Sequence, residues 1–201
     1  MRVTVINYGA GNVTSVERAL KKLGADILTT DQPDQIRSAR CLVLPGVGHC
    51  GALIGSLDAQ KLRTPLLERI AEGTPFLGIC LGLQALYEGS DEAPGLAGLG
   101  LFEGRVSKLP RDVKLPHMGW NQLRSIPDSI LLKGISPQAY FYFAHSYAAP
   151  DSGPENAAVA WHGRNFMAVV ERNNIFGVQF HPEKSGESGA QLLTNFMRWA
   201  A

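Results

Sequence analysis

The fold is decided by the stretch Pro75-Phe76-Leu77-Gly78-Ile79-Cys80-Leu81-Gly82-Leu83-Gln84. Residues 75–79 have the length and apolar character of a buried strand, and a helical pattern runs from Leu81 to Tyr87. A buried strand that leads directly into a helix is typical of a parallel sheet covered on both faces. Cys80 lies in the turn between them, at the carboxyl end of the strand, where active sites of open α/β sheets collect.

The rest of the chain extends this pattern in both directions. Predicted strands lie at 3–7, 26–30, 41–44, 75–79, 102–106, 139–147, 157–161, 166–171 and 175–180, and predicted helices at 13–23, 66–71, 81–87 and 188–201. The strands after Gly98 follow one another through turns, which indicates antiparallel additions. We therefore predict one α/β domain over residues 1–201, with a mostly parallel central sheet, helices on both faces and antiparallel additions.

Composition excludes several classes of function. The 201 residues carry a formal net charge of +1 without a run of Lys or Arg, so no nucleic-acid partner is expected. The N-terminus reads as a strand rather than a signal peptide, and no apolar run is long enough for a membrane span. Three irregularly spaced cysteines argue against a disulfide framework and favour a reducing compartment, the cytoplasm.

Cys80 has the surroundings of an activated nucleophile. Gly78 and Gly82 allow the close backbone approach of a nucleophile elbow, with sulfur in place of the usual serine oxygen. The N-terminal end of a helix favours the thiolate over the thiol, and the backbone N–H of Leu81 can face a developing oxyanion. The alternative is that Cys80 is a small buried core residue.

A second segment, His181-Pro182-Glu183, supplies a base for this nucleophile. Residues two apart on an extended chain share one face, so Glu183 can orient His181, and His181 can take the proton of Cys80. The alternative is an ordinary surface turn. Taken together, the two segments contain the parts of a covalent acyl-transfer site, which predicts an enzyme.

Two other patterns carry less weight. Residues 46–51 match G-x-G-x-x-G, but the acidic residue expected about 20 positions later falls in a predicted helix at 66–70. We interpret residues 45–48 as a loop with free backbone N–H groups, suited to a second oxyanion donor. The remaining histidines, His49, His117, His145 and His162, lack metal-ligand spacing, so we predict no metal and no cofactor.

Over nearly its full length the chain resembles the class I glutamine amidotransferases, whose cysteine elbow reads G-x-C-x-G and whose base segment reads H-P-E. Members of this family liberate ammonia from glutamine and pass it to a second active site. The resemblance implies that Cys80 is the nucleophile, His181 the base and Glu183 its orienting carboxylate, and that the substrate is glutamine.

Within the family, the segments 7–12, 45–48, 117–121 and 142–147, with Lys184 and Ser185, are similar to the glutaminase subunits of imidazole glycerol phosphate synthases, in histidine biosynthesis. This similarity implies a heterodimer with a (β/α)₈-barrel cyclase. That partner would convert a nucleotide intermediate to imidazole glycerol phosphate and an aminoimidazole carboxamide ribonucleotide.

The resemblance also implies further residue roles. The residues that would hold the substrate glutamine are Gln84, Glu92 and the backbone around Ser146 and Tyr147. The oxyanion would be framed by Val47, Gly48 and Leu81. The residues that would face the partner are Asn12, Trp120, Tyr142 and Lys184. Structural alternatives remain: a core position for Trp120, a solvated charge for Lys184 and simple helix packing for Gln84. A stand-alone cysteine hydrolase and a non-catalytic binding subunit remain as rival functions.

Overall fold

The computed structural model describes residues 1–9, 12–125, 128–153 and 155–201. Ala10 and Gly11, which belong to the 7–12 segment, lie outside the described residues. The strands are β1 (Arg2–Ile6), β2 (Asp26–Thr30), β3 (Leu42–Gly46), β4 (Phe76–Cys80), β5 (Tyr87–Ser90), β6 (Phe102–Lys108), β7 (His117–Gln122), β8 (Arg124–Ser125), β9 (Tyr140–His145), β10 (Tyr147–Ala148), β11 (Asn156–His162), β12 (Arg164–Arg172) and β13 (Ile175–Val178). The helices are α1 (Val13–Lys22), α2 (Pro33–Arg37), α3 (Cys50–Ala59), α4 (Arg63–Ala71), α5 (Leu81–Gln84) and α6 (Gly186–Trp199), with a 3₁₀ turn at Pro182–Lys184.

The central sheet has the order β2-β1-β3-β4-β13-β12-β11-β8 among the described residues. Its first five strands are parallel, and β12, β11 and β8 add to it antiparallel. The predicted α/β class with a mostly parallel sheet and antiparallel additions is confirmed. One assignment was wrong: β13 is not an antiparallel addition, because it inserts between β4 and β12 and runs parallel to β4.

Apolar side chains cover both faces of this sheet. In β1, Val3 and Val5 join the core under α1 and α6, whereas Ile6 joins the core under α2, α3 and α4. On β4, Leu77 joins the first of these cores and Phe76 joins the second. Successive side chains of a strand point to opposite faces, so a strand that is apolar throughout must be covered on both sides. Helices therefore lie on both faces, as predicted.

The described part of the chain has two smaller sheets besides the central one, and two of the predicted strands belong to them. The strand predicted at 102–106 is β6, which continues to Lys108. It pairs with β5 and β10, outside the central sheet. The predicted strand at 139–147 is divided, because β9 pairs with β7 while β10 pairs with β6. We call the β7–β9 pair the β7–β9 ribbon.

The helix predicted from 81 to 87 is wrong beyond its first turn. α5 ends at Gln84, and Tyr87 begins β5. Residues 81–87 are compatible with a helix in their own composition, but distant groups take the carbonyl oxygens of the next turn. Leu99 N–H donates to Ala85 O at 2.7 Å, and Leu101 N–H donates to Leu86 O at 2.8 Å. Tertiary hydrogen bonds thus end the helix.

Among the described residues, no helix has both the length and the apolar character that crossing a membrane requires.

Candidate active site

Cys80 occupies a strained turn at the end of β4. Its φ is 54° and its ψ is −104°, in a left-handed region that residues with a Cβ rarely adopt. Such a conformation costs on the order of 1–3 kcal/mol and persists only where the surroundings enforce it. The strained turn places the sulfur where β4 ends and α5 begins, which is the geometry of a nucleophile elbow.

Close backbone packing holds this turn. A Cβ at Gly82 would lie 2.0 Å from Leu44 O, and a Cβ at Gly78 would lie 2.5 Å from Gly82 O. Both distances are shorter than any van der Waals contact, and in both cases the obstructing atom belongs to the backbone. Only glycine fits at these two positions, which is the physical reason for the G-x-C-x-G pattern. We call residues 78–82 the elbow.

His181 and Glu183 reach the same point from the neighbouring strand. Val178 of β13 lies in register with Ile79 of β4, so the two parallel strands end side by side. Three hydrogen bonds fix the segment after β13: His181 N–H to Tyr142 O at 2.8 Å, Ser185 Oγ–H to His181 O at 2.7 Å, and Tyr142 N–H to Ser185 Oγ at 3.0 Å.

The imidazole of His181 lies between the carboxylate and the thiol. Its Nδ1 is 2.9 Å from Glu183 Oε1, and the two side chains are only 3% and 1% exposed. Because a carboxylate accepts hydrogen bonds, Nδ1 carries a hydrogen and Nε2 is left to interact with Cys80. Asn12 Nδ2 donates to the same Glu183 oxygen at 3.5 Å. The structure therefore brings together all three predicted triad residues.

Electrostatics favour a charged imidazole at this position. Burial opposes the charge and by itself lowers the pKa of His181, but hydrogen bonds to Cys80 and Glu183 outweigh burial and raise that pKa from 6.5 to about 10. A protonated His181 next to a sulfur atom favours a thiolate–imidazolium pair, the reactive form of a cysteine nucleophile.

Val47 and Gly48 lie beside the elbow, just after β3. Gly46 of β3 is in register with Cys80, so the residues that follow it reach the same edge of the sheet. Residues 47–49, which we call the 47–49 loop, are exposed, with Val47 at 37%. Gly48 has a φ of +97°. Together with Leu81, Val47 and Gly48 line a cleft of about 170 Å³ over the sulfur.

The four residues predicted to hold the substrate also line this cleft: Gln84, Glu92, Ser146 and Tyr147. The amide of Gln84 is buried and donates through Nε2 to Tyr147 O at 2.8 Å, so it does more than pack on its helix. Glu92 Oε2 accepts from the first N–H of α3, that of Cys50, at 2.7 Å. This bond anchors the carboxylate at the cleft wall.

Two of the four predicted partner-facing residues, Trp120 and Tyr142, lie on the β7–β9 ribbon. Trp120 is 56% exposed, which removes the alternative of a core position, and its ring lies 5.9 Å from that of Tyr142. Lys184 Nζ lies 5.7 Å from the Tyr142 ring centroid and lines the cleft. Asn12 differs from the other three because its amide is turned towards Glu183.

Sequence reasoning missed Gln179, which is fully buried and places Nε2 3.6 Å from Cys80 Sγ. The available signal was its spacing: Gln179 lies two residues before His181, and alternate residues share a face wherever a chain is extended.

His145, which lies in the 142–147 segment and for which the sequence predicted no metal-binding role, also lines the cleft. Its Nδ1 is 2.9 Å from Tyr147 O, and its Nε2 is 3.0 Å from His117 Nδ1. Because the carbonyl only accepts, His145 must donate through Nδ1 and accept through Nε2. Burial lowers the pKa of His145 to about 3 and that of His117 to about 4, so both rings are neutral. Within the described ranges, no group of three or more His, Cys, Asp or Glu side chains could hold a metal ion.

Comparison with known proteins agrees with this geometry. Residues 4–199 match the family described as glutamine amidotransferase class-I. The chain is 48% identical over 195 residues to a Methanothermobacter thermautotrophicus protein named imidazole glycerol phosphate synthase subunit HisH, covering 97% of each chain. Proteins of the same name from Deinococcus radiodurans and Pyrococcus furiosus are each 44% identical over 199 residues, covering 98% of this chain and 93% and 98% of theirs.

Solved structures share the fold at lower identity. A structure described as a glutamine amidotransferase superposes with a TM-score of 0.79 at 19% identity, over 98% of each chain. The structure of PurLQS from Thermotoga maritima gives a TM-score of 0.76 at 19% identity, over 100% of this chain and 99% of that one. The chain therefore belongs to the class-I glutamine amidotransferase family and, within it, groups with the imidazole glycerol phosphate synthase subunits HisH.

Proposed function

We propose that this chain hydrolyses glutamine to glutamate and ammonia through a Cys80 thioester, and delivers the ammonia to a cyclase chain as the glutaminase subunit of an imidazole glycerol phosphate synthase. The observation that carries the proposal is the convergence of Cys80 and His181 in one small cleft, with Glu183 hydrogen-bonded to His181. The names of the relatives support the wider assignment.

The first half of the reaction forms the acyl-enzyme. Cys80 Sγ, as a thiolate, attacks the side-chain carboxamide carbon of glutamine, and the carbonyl oxygen becomes an oxyanion. Backbone N–H groups of Leu81 and of the 47–49 loop stabilise this oxyanion, typically by about 3 kcal/mol per donor. His181 gives its Nε2 proton to the departing nitrogen, and the C–N bond breaks to release ammonia.

The second half regenerates the enzyme. His181, now neutral, accepts a proton from a water molecule as that water attacks the thioester carbon. The carbon–sulfur bond breaks, glutamate leaves, and the thiolate–imidazolium pair is restored. Glu183 holds the imidazole in one orientation through both halves and stabilises its charged form.

An exposed apolar surface supports the need for a partner. Met118 and Trp120 of β7, with Tyr140 of β9, are all more than half exposed and share one face of the ribbon. The opposite side of the β7–β9 ribbon is buried, with His117, His145, Phe141 and Phe143 inward. Contiguous exposed aromatic side chains mark interaction sites. Covering this surface would also place the partner over Tyr142 and Lys184, at the edge of the cleft.

We further propose that the partner is a (β/α)₈-barrel cyclase and that the loop after β3 is misaligned for oxyanion binding until this partner holds its nucleotide ligand. The exposure of residues 47–49 supports control at this point. The three free cysteines suit a reducing compartment, for which we propose the cytoplasm.

Glutamate formation from glutamine tests the proposal, measured for the chain alone and for its complex with the barrel cyclase and nucleotide ligand. We expect a low rate alone and a sharp rise in the liganded complex. Equal rates in both states would favour a stand-alone cysteine hydrolase and contradict gating. Absence of glutamate in both would overturn the assigned function.

Replacement of the nucleophile separates an enzyme from a binding subunit. Cys80→Ala should lower the glutaminase rate of the complex on the order of 10⁵-fold, because nucleophile and base act as a unit. Binding of the partner should be retained. Unchanged synthase activity with glutamine as the nitrogen source would establish the non-catalytic binding subunit instead.

A further inference from the structure

Gln179 is a buried polar side chain that touches the nucleophile but takes no part in the steps above. It is fully buried, and its Nε2 lies 3.6 Å from Cys80 Sγ. A buried amide is costly unless both of its ends are hydrogen-bonded. The other end is paired, since Gln179 Oε1 accepts from Gln84 Nε2 at 3.0 Å.

The direction of these bonds follows from a backbone carbonyl. Tyr147 O can only accept, and Gln84 Nε2 lies 2.8 Å from it, so the nitrogen side of the Gln84 amide faces Tyr147. The second hydrogen of the same nitrogen is then directed to Gln179, which must present its oxygen. The NH₂ group of Gln179 is therefore left facing the sulfur. The hydrogen-bond network fixes the orientation of both amides.

Gln179 and His181 both reach Cys80 from the segment that follows β13. Gln179 N–H donates to Ala168 O of β12 at 2.9 Å, which fixes the strand end in the sheet. Two residues later, His181 reaches the same sulfur. Cys80 Sγ thus has two nitrogen donors from one strand end, one cationic and one neutral.

We propose that Gln179 is a further catalytic residue, whose side-chain N–H donates to Cys80 Sγ, favours the thiolate over the thiol and fixes the direction of the sulfur. The proposal rests on the proposed function for the identity of the reaction, whereas the contact itself belongs to the resting enzyme. Hydrogen bonds to a charged acceptor are stronger than those to a neutral one, so this donor stabilises the thiolate selectively.

The same bond acts again when the acyl-enzyme breaks down. In the thioester the sulfur carries no charge, so the bond from Gln179 weakens. As the carbon–sulfur bond breaks and the electron pair returns to sulfur, the bond strengthens and helps the thiolate to leave. Gln179 itself neither gains nor loses a proton.

The alkylation rate of Cys80 by iodoacetamide tests this proposal across a range of pH, with the modified peptide quantified by mass spectrometry. Gln179→Met removes the donor at nearly constant volume. We expect the midpoint of its profile to rise by about one pH unit, with a roughly tenfold lower rate on the acid side. Gln179→Glu should shift the midpoint further, because a carboxylate oxygen then faces the sulfur with like charge.

The matched control is Gln191→Met on α6. It loses one amide hydrogen bond, from Nε2 to Asn195 Oδ1 at 2.8 Å, where Gln179→Met loses two. Gln191 lies away from the cleft, so the alkylation profile of this variant should equal that of the wild type. A wild-type midpoint in both Gln179 variants would overturn the proposal. Alkylation needs neither glutamine nor a partner, so failure of the glutaminase assay would affect the proposed function without affecting this result.

Discussion

The elbow and the 47–49 loop are the two sides of one cleft, and they are built in opposite ways. Residues 76–87 are all buried, and backbone atoms pack closely against Gly78 and Gly82. Residues 47–49 are all exposed, and a Cβ at Gly48 would meet nothing within 4 Å. The nucleophile is thus held rigidly, whereas the proposed oxyanion side has room to move. The control by a partner that we propose would act on the second side, because only that side can be adjusted without unfolding the first.

The largest effect should come from filling the elbow. Gly82→Ala would place a Cβ 2.0 Å from Leu44 O, so β3 and α5 must separate. We expect the free energy of unfolding to fall by about 4 kcal/mol or more, measured by urea denaturation.

Gly55→Ala is the matched control for that change. Gly55 lies within α3, and a Cβ there meets nothing within 4 Å. The same substitution should stabilise the protein by up to about 1 kcal/mol, since alanine is the better helix former. Equal effects of the two changes would contradict the rigid packing assigned to the elbow.

An intermediate effect should appear in the pH dependence of stability. Because the pKa of His181 is raised from 6.5 to about 10 on folding, the folded state holds this proton more tightly than the unfolded state. The resulting stability is fully present below about pH 6.5 and is lost as the pH rises through about 10. We expect Tm to fall across this window, on the order of 5 °C, in thermal unfolding.

Two variants check the origin of that slope. Glu183→Gln removes a hydrogen bond that raises the His181 pKa, so the fall in Tm should end at a lower pH than in the wild type. In His181→Asn the contribution of His181 should vanish. A wild-type slope in His181→Asn would show that other groups produce it.

The smallest effect should come from the exposed side. Gly48→Ala meets no obstruction, but its φ of +97° disfavours alanine, which should cost about 1 kcal/mol of stability. The glutaminase rate in the liganded complex should fall roughly tenfold, because the loop no longer aligns its N–H groups freely. An unchanged rate in the complex would show that the 47–49 loop does not contribute to oxyanion binding.

The sequence predicts the elbow well because local constraints and global fold agree there. The apolar run before Cys80 and the two glycines require the same strand, turn and close packing that the structure contains. α3 was not predicted, because its sequence, CGALIGSLDA, contains two glycines and overlaps the G-x-G-x-x-G pattern. The early end of α5 also could not be predicted, because residues from 99 onward supply the hydrogen bonds that end it.

The contact between His181 and Glu183 was predictable from their spacing within one segment, although a 3₁₀ turn at Pro182–Lys184 makes it and not an extended chain. Gln179 was missed because its partner Cys80 is 99 residues away in sequence, and only pairing of β4 with β13 brings the two together. The exposure of Trp120 likewise depends on the β7–β9 ribbon, since an isolated tryptophan gives no sign of which face it occupies.

The position of β13 has a consequence for the order of folding. This strand enters the middle of the sheet, between β4 and β12, although both precede it along the chain. Until β13 arrives, β4 and β12 present open edges, and Cys80 has neither His181 nor Gln179 beside it. Incompletely folded molecules therefore carry an unactivated thiol, and the hydrolytic centre forms only once the sheet has closed.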